Sequence, residues 1–249
     1  MWWDEGLIIE IVAGSRAYGL EEDESDEDVR GVALPPREWL VGFAPPVRQH
    51  TYASQEADRV VHALPKFLHL ALNGNPNMLD ILFCAETSIR VLTVPGRELR
   101  AMRGVFLSKR LYAAYAGYAS AQLKRMRSHN TAQGSRGRAV QAYGYDPKNA
   151  MHLLRLLLTA RRLFVTGELQ ICLPAEDRTF LRAVRRGEYT AGEIQQWALE
   201  WDAECGGLAR SSRLPDGPDF VRVQRWLERR QSRWICRDAS FWDEEMSRA

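Results

Sequence analysis

The chain has 249 residues, a formal net charge of +2 at pH 7 and 45% hydrophobic residues. This length allows one large domain or two small ones, and this apolar content is sufficient for a packed core. No run of about 18 apolar residues occurs, which argues against a membrane span or a membrane partner. The acidic N-terminus lacks a secretory pattern and the four cysteines are scattered, so we expect a cytoplasmic protein with reduced thiols.

Charge is distributed unevenly along the chain. Residues 1–30 contain ten acidic and two basic residues, whereas residues 97–162 contain fourteen basic and two acidic residues. An acidic surface is suited to a metal site, and a basic one to a nucleoside triphosphate or a nucleic-acid backbone. A single arginine on a helix is usually solvated surface, so only the size of the excess is informative.

The first predicted element is a buried strand over residues 7–13, which ends at Gly14 and Ser15. Small residues at such a turn allow backbone N–H groups to approach phosphate oxygens closely. Asp26 and Asp28 follow at alternate positions, so a strand would direct both carboxylates to one face. Divalent cations prefer such oxygens and share their coordination with substrate phosphates. The pattern predicts a phosphate-binding turn beside a pair of metal-binding carboxylates. Nucleotidyl transfer uses both features.

Three blocks of sequence carry a resemblance to a known superfamily. They are residues 14–20 with 25–31 (GSRAYGL and SDEDVRG), residues 66–68 with 75–80 (KFL and NPNMLD), and residues 145–156 with 166–169 (YDPKNAMHLLRL and TGEL). Together they resemble the polymerase-beta-type nucleotidyltransferase superfamily. Within it, the chain is most similar to predicted nucleotidyltransferases encoded beside RNA ligases in bacteria and phages. The resemblance extends from about residue 7 to about residue 230.

The expected fold class is α+β, with a small mixed-sheet nucleotidyltransferase domain followed by an all-helical C-terminal domain. We place the first domain at residues 1–95 and a helical nucleotide- or RNA-binding domain at residues 96–249. Hydrophobic periodicity predicts a helix over residues 62–74 and a strand over residues 88–94. A long helical pattern over residues 98–127 is interrupted near its glycine at position 104.

A third carboxylate is needed, because two cannot hold two cations and also activate a hydroxyl. In the superfamily this acid comes from a neighbouring strand. We choose Asp58, since it precedes a short apolar segment that can pair beside the strand of Asp26 and Asp28. Glu56 and Asp80 are the alternatives, although Asp80 also suits a helix face. The predicted catalytic and metal-binding residues are therefore Asp26, Asp28 and Asp58, with two Mg²⁺ or Mn²⁺ ions.

Further residues are candidates for nucleotide binding. Ser15 and the neighbouring backbone amides would hold the β- and γ-phosphates, and Arg16 would add positive charge. Arg30 would either meet a phosphate and orient the carboxylates, or form a structural ion pair with Asp26 or Asp28. The complete predicted set is Gly14, Ser15, Arg16, Arg30, Lys66, Lys148, Asn149, His152 and Arg155.

The last four of these residues belong to a helix predicted over residues 148–165, with Asp146 as its N-cap. Lys148, His152 and Arg155 recur at positions i, i+4 and i+7, so they share one face of this helix. A cation, an imidazole and a guanidinium on one face are suited to a triphosphate or a base. The alternative is that His152 is an ordinary surface or core residue.

Two C-terminal helices are also predicted. The first follows a capping box formed by Thr190 and Glu193. The second covers residues 219–230, with an apolar stripe at Phe220, Val223 and Leu227. The aromatic residues of the tail, Trp234, Phe241 and Trp242, are expected to dock on the body of the protein.

The leading functional hypothesis is a metal-dependent nucleotidyltransferase that moves a nucleoside monophosphate from ATP or CTP to a hydroxyl. The resemblance implies that the acceptor is an RNA 3′ end in RNA or tRNA repair, and that an RNA ligase acts in the same pathway. The basic middle segment agrees with an RNA partner. Two alternatives remain: AMP transfer to a protein or small-molecule hydroxyl, as in antitoxin-like members, and an inactive nucleotide- or RNA-binding module.

Overall fold

In a computed structural model of the chain, the described residues are 1–21, 27–41, 49–53, 57–127 and 135–236. The chain folds into two compact units. The first comprises Met1–Phe106 together with the segment that begins at Pro218, and the second is Leu107–Gly217. The boundary predicted after residue 95 falls inside the first unit. Within the described ranges, no helix is long and apolar enough to cross a membrane.

A five-stranded mixed sheet forms the base of the first unit. Its strands in the described part of the chain are β1 (Leu7–Val12), β2 (Glu27–Ala33), β3 (Gln49–Ala53), β4 (Ala57–Ala63) and β5 (Ile89–Leu92). The strand order is β3-β4-β2-β1-β5, in which β2 and β4 run parallel and the other neighbours run antiparallel. The predicted strand at residues 7–13, the one near residues 88–94 and the α+β class are confirmed, whereas β3 was not predicted.

The inner strands β1 and β2 carry completely buried apolar side chains. Ile9 and Ile11 of β1 and Val32 of β2 are completely buried. A strand that is covered on both faces has a nearly continuous apolar sequence rather than an alternating one. This burial fixes the part of β1 that leads directly into the candidate site.

The described residues up to position 101 also form five helices: α1 (Gly14–Tyr18), α2 (Arg37–Val41), α3 (Leu64–Leu72), α4 (Pro76–Phe83) and α5 (Val94–Ala101). The prediction that a helix begins at His62 is wrong. β4 continues to Ala63, because its pairing with β2 includes His62 and Ala63. Pro65 then stands in the first turn of α3, where its missing N–H costs no hydrogen bond.

The second unit is helical in its described residues. Its helices are α6 (Leu111–Arg127), α7 (Ser135–Tyr143), α8 (Pro147–Thr166), α9 (Ala175–Arg185) and α10 (Ala191–Ser211). α8 contacts the other four and is buried on almost every side in its middle. The predicted N-cap Asp146 and the capping box of Thr190 and Glu193 are confirmed. The predicted interruption near Gly104 is a short 3-10 segment before α6.

The last described helix, α11 (Phe220–Ile235), belongs to the first unit. Its buried residues are Val223, Trp226, Arg230 and Trp234. The predicted stripe is therefore wrong at Phe220, which is 59% exposed. Phe220 is the first residue of α11 and precedes Val223, the first buried position of the helix.

Docking of the C-terminal aromatic residues is confirmed at one position. Trp234 is buried, and its indole N–H donates to the Pro35 carbonyl at 2.7 Å. Phe241 and Trp242 lie outside the described residues.

A carboxylate connects α5 to α11. Glu98 accepts hydrogen bonds from the indole N–H of Trp226 at 2.9 Å and from Nε of Arg230 at 2.9 Å. A second nitrogen of Arg230 completes a two-point ion pair with Glu98. Arg230 is only 8% exposed, so loss of this ion pair would leave a poorly hydrated charge.

We expect Glu98→Ala to lower the free energy of unfolding by about 2–4 kcal/mol, because it removes the carboxylate paired with a buried guanidinium. Urea unfolding followed by tryptophan fluorescence measures this change. Glu228→Ala is the control, since Glu228 is exposed on α11 and accepts a hydrogen bond from Gln224. That variant should change stability by less than about 0.5 kcal/mol. Equal losses in the two variants would contradict a structural role for Glu98.

Candidate active site

The backbone turns sharply where β1 meets α1. Gly14 has φ = 66°, in the left-handed region that favours glycine, and Ser15 follows it in the first turn of α1. The Ala13 N–H donates to the backbone carbonyl of Asp28 at 2.7 Å. This hydrogen bond holds the glycine-serine turn against the beginning of β2.

The carboxylate of Asp28 packs directly against Gly14. A β carbon added at Gly14 would lie 2.2 Å from Oδ2 and 3.0 Å from Cγ of Asp28. The first distance is too short for a real contact and the second is tighter than most, so a side chain at position 14 would displace the carboxylate. Glycine is therefore required here for its conformation and for the space that it leaves.

Asp58 lies beside Asp28 in the sheet. β2 and β4 are parallel, and Asp28 is the register partner of Asp58. Neighbouring strands are about 4.8 Å apart, and residues at one register position extend to the same face. The predicted pairing of residues 59–61 beside the aspartate strand is confirmed. Two adjacent carboxylates repel each other unless a cation or a proton lies between them.

The other predicted acids are placed differently. Asp26 and Glu56 lie outside the described residues. Asp80 is on α4, is 5% exposed and accepts a hydrogen bond from the hydroxyl of Tyr18 on α1. No group of three or more His, Cys, Asp or Glu side chains in the described ranges is arranged to hold a metal ion. The described part of the predicted metal site is thus the pair Asp28 and Asp58.

Arg30 forms the ion pair that the sequence left as one of two alternatives. It lies two residues after Asp28 on β2, and its Nη2 is 3.1 Å from Oδ1 of Asp28. Its other terminal nitrogen donates to the carbonyl of Asp58 at 3.4 Å. Arg30 therefore holds one oxygen of Asp28, while the second oxygen faces Gly14.

Arg16 and Arg90 flank the neighbouring acid, Glu27. Arg16 of α1 lies 3.5 Å from one oxygen of Glu27, and Arg90 of β5 pairs with the other oxygen. Arg16 was a predicted phosphate ligand. Arg90 was missed, because nothing local in the sequence indicates that β5 begins near Glu27.

His62 was also missed as a neighbour of the site. It lies on the same face of β4 as Asp58, is 6% exposed, and its Nδ1 has no hydrogen-bond partner within the described part of the chain. Burial, and then the charges of Arg30 and Lys66, lower the pKa of His62 to about 4. His62 is therefore neutral at pH 7. The signal for it was the alternation of Asp58, Val60 and His62 along a strand.

The predicted polar face of α8 lies in the second unit. Lys148 and His152 are half-buried, and Arg155 is 5% exposed. The side-chain amide of Asn149 donates to Oδ2 of Asp146 at 2.8 Å and so supports the helix N-cap. Asn149 thus has a structural hydrogen bond in addition to its predicted role.

A mixed sheet with a glycine-serine turn, beside two carboxylates on parallel strands, has the arrangement expected of a nucleotidyltransferase. Residues 5–196 match the RNA repair pathway DNA polymerase beta family, and the chain belongs to that family. The protein is therefore a nucleotidyltransferase, as the sequence predicted.

One solved structure similar to this chain is a nucleotidyltransferase-like protein from Exiguobacterium sibiricum 255-15. The similarity covers 90% of this chain and 73% of that chain at 12% identity, with a TM-score of 0.27. None of the curated proteins matches the chain.

We expect Gly14→Ala to reduce nucleotidyl transfer by about 100-fold, because the added methyl group displaces the Asp28 carboxylate. Label transfer from an α-labelled nucleoside triphosphate measures the rate. Gly104→Ala is the matched control, since no atom of the described structure lies within 4 Å of its added β carbon. Full activity in both variants would contradict the role of Gly14.

The buried His62 should make stability depend on pH. Its folded-state pKa of about 4 is below the ordinary value of 6.5, so the unfolded chain binds more protons between these values. Stability therefore falls as pH falls through this window, by on the order of 3 kcal/mol at most. We expect His62→Gln to remove this component.

Urea unfolding of the wild type and His62→Gln at pH 7 and pH 4.5 tests this expectation. Between pH 7 and pH 4.5 the wild type should lose about 2–3 kcal/mol more unfolding free energy than the variant loses. His69→Gln is the control, because His69 is exposed on α3. A pH profile of His62→Gln that runs parallel to the wild type would overturn the argument.

Proposed function

We propose that the protein uses divalent cations to transfer a nucleoside monophosphate from ATP or CTP to the 3′ hydroxyl of an RNA during RNA repair. The observation that carries this proposal is the register pairing of Asp28 with Asp58 beside Gly14. The RNA acceptor is supported by the family, whose description refers to an RNA repair pathway. An RNA ligase in the same pathway is part of the proposal.

The residues at the site fit a pair of hard cations. Carboxylate oxygens are the ligands that Mg²⁺ and Mn²⁺ prefer. Arg30 holds only Oδ1 of Asp28, and Asp58 is exposed, so carboxylate oxygens remain for coordination. In the proposal Asp26 is the third ligand. Bound cations would stabilise the charge on the attacking and leaving oxygens.

Side chains and backbone N–H groups of the chain have separate roles in the proposed reaction. The RNA 3′ oxygen forms a bond to the α-phosphorus while the bond to the bridging oxygen breaks, and pyrophosphate leaves. We assign the hydroxyl proton to Asp58, because its carboxylate is exposed beside Asp28. The N–H groups of Gly14 and Ser15 hold the β- and γ-phosphates, with positive charge from Arg16. Arg30 orients Asp28.

The remaining nucleotide contacts belong to the proposal as well. Lys66 and Arg30 both lie close enough to His62 for their charges to lower its pKa, so each adds positive charge near this residue. In the second unit, Lys148 and His152 are one turn apart on α8 and half-buried. This face, with Asn149 and Arg155 as the other predicted members, is retained in the proposal as a nucleotide-binding surface of the second unit.

We expect Asp28→Asn and Asp58→Asn each to lower transfer by at least about 100-fold, because each removes a charged oxygen donor from the metal site. Both should also weaken Mn²⁺ binding, measured by a spin-resonance titration without nucleotide. Asp216→Asn is the control, because Asp216 is 93% exposed and pairs with Lys109. It should leave both measurements unchanged.

The acceptor is tested separately with a panel of RNA, DNA and protein acceptors. Label on RNA 3′ ends supports the proposal. Label found on protein, with none on RNA, would favour AMP transfer to a protein hydroxyl instead. Normal activity of Asp28→Asn would remove the metal assignment whatever the acceptor.

A further inference from the structure

A groove between α5 and α11 contains arginine side chains that the proposed chemistry does not use. Its volume is about 560 Å³, and Glu98 and Trp226 contribute to its wall. Arg222, Arg229 and Arg233 also line it. All of these residues belong to the first unit, the unit that carries Asp28 and Asp58.

The groove has an uncompensated positive charge. Its acid, Glu98, is already paired with Arg230 and hydrogen-bonded to Trp226. Arg222, Arg229 and Arg233 are exposed and form no ion pair with any residue that the structure describes. α11 as a whole has five arginines and one acid. Three guanidinium groups are therefore available to an anion.

The spacing of these arginines favours an extended anion. Positions 222, 229 and 233 follow one face of α11 at i, i+7 and i+11, a row about 16 Å long. One phosphate group would meet only part of this row, whereas successive phosphates along a strand can meet all of it. Guanidinium groups bind phosphates bidentately, and Trp226 is buried, so the groove offers phosphate contacts rather than a base-stacking platform.

We propose that the groove between α5 and α11 binds the phosphate backbone of a single RNA strand. This inference rests on the proposed function, in which RNA is the acceptor. It identifies the groove as the surface of the protein that binds this RNA. Phosphate contacts position a strand without reading its sequence. The groove should therefore bind RNAs of different sequence with similar affinity. α11 contacts α3, the helix that carries Lys66, so the groove and the candidate site share one folded unit.

The test compares two double variants of the full chain with equal loss of charge. Arg229→Gln with Arg233→Gln changes the groove, and Arg210→Gln with Arg213→Gln changes two exposed arginines elsewhere. A labelled RNA strand of about 20 nucleotides is titrated by fluorescence anisotropy between about 50 and 200 mM salt, without nucleotide.

Loss of two phosphate contacts to a single strand should reduce the salt slope by about 1.4 and weaken binding about 25-fold at 0.1 M salt. The control variant should stay close to the wild type. In transfer assays the groove variant should raise the KM for RNA and leave kcat unchanged, because its residues do not touch the reacting atoms.

The contrary outcomes are distinct. If the wild type binds RNA and the groove and control variants lose RNA affinity equally, the groove proposal is wrong. The proposal that RNA is the acceptor would stand. No RNA binding by the wild type would overturn both. Groove variants that lose binding to phosphatidylserine vesicles, while RNA binding is unchanged, would assign the groove to a membrane surface instead.

Discussion

The parallel pairing of β2 with β4 is the constraint on which the site depends. Side chains alternate between faces along a strand, so a shift of one residue would send Asp58 to the opposite face from Asp28. The register is held from the other side of the sheet, where Ala33 and Val61 are buried against Trp3. The apolar face therefore sets the position of the carboxylates on the polar face.

A second strand pair brings the glycine turn to these carboxylates. β1 is antiparallel to β2, and the hydrogen bond from Ala13 to the Asp28 carbonyl closes the edge where the two strands meet the site. α1 then starts at Gly14, and Tyr18 anchors it through its hydrogen bond to Asp80. Asp80 was considered as a third catalytic acid, but in the structure its carboxylate holds two helices together.

Features that depend on sequence neighbours were predictable, and features that depend on distant partners were not. The N-cap Asp146 and the capping box at Thr190 rest on contacts within one helical turn, so local sequence was sufficient. His62 was assigned to a helix because β4 passes into α3 without a turn between them. The pairing of Glu98 with Arg230 spans 132 positions, and no local pattern indicates it. Asp26 and Glu56 remain predictions.

The near-neutral net charge of the chain includes two regions of opposite charge within the first unit, a pair of carboxylates and a row of arginines. The adjacent carboxylates of Asp28 and Asp58 repel phosphate groups, so attraction of a triphosphate or an RNA end to the proposed site depends on the basic side chains around it and on bound cations. A row of arginines on α11 would supply that attraction at a surface whose acid, Glu98, is already neutralised by Arg230. In the proposed function, this separation of charges would allow a polyanion to bind while oxygens of Asp28 and Asp58 stay available to metal ions. Within the site, Arg30 pairs with Oδ1 of Asp28 only, and the second oxygen faces Gly14.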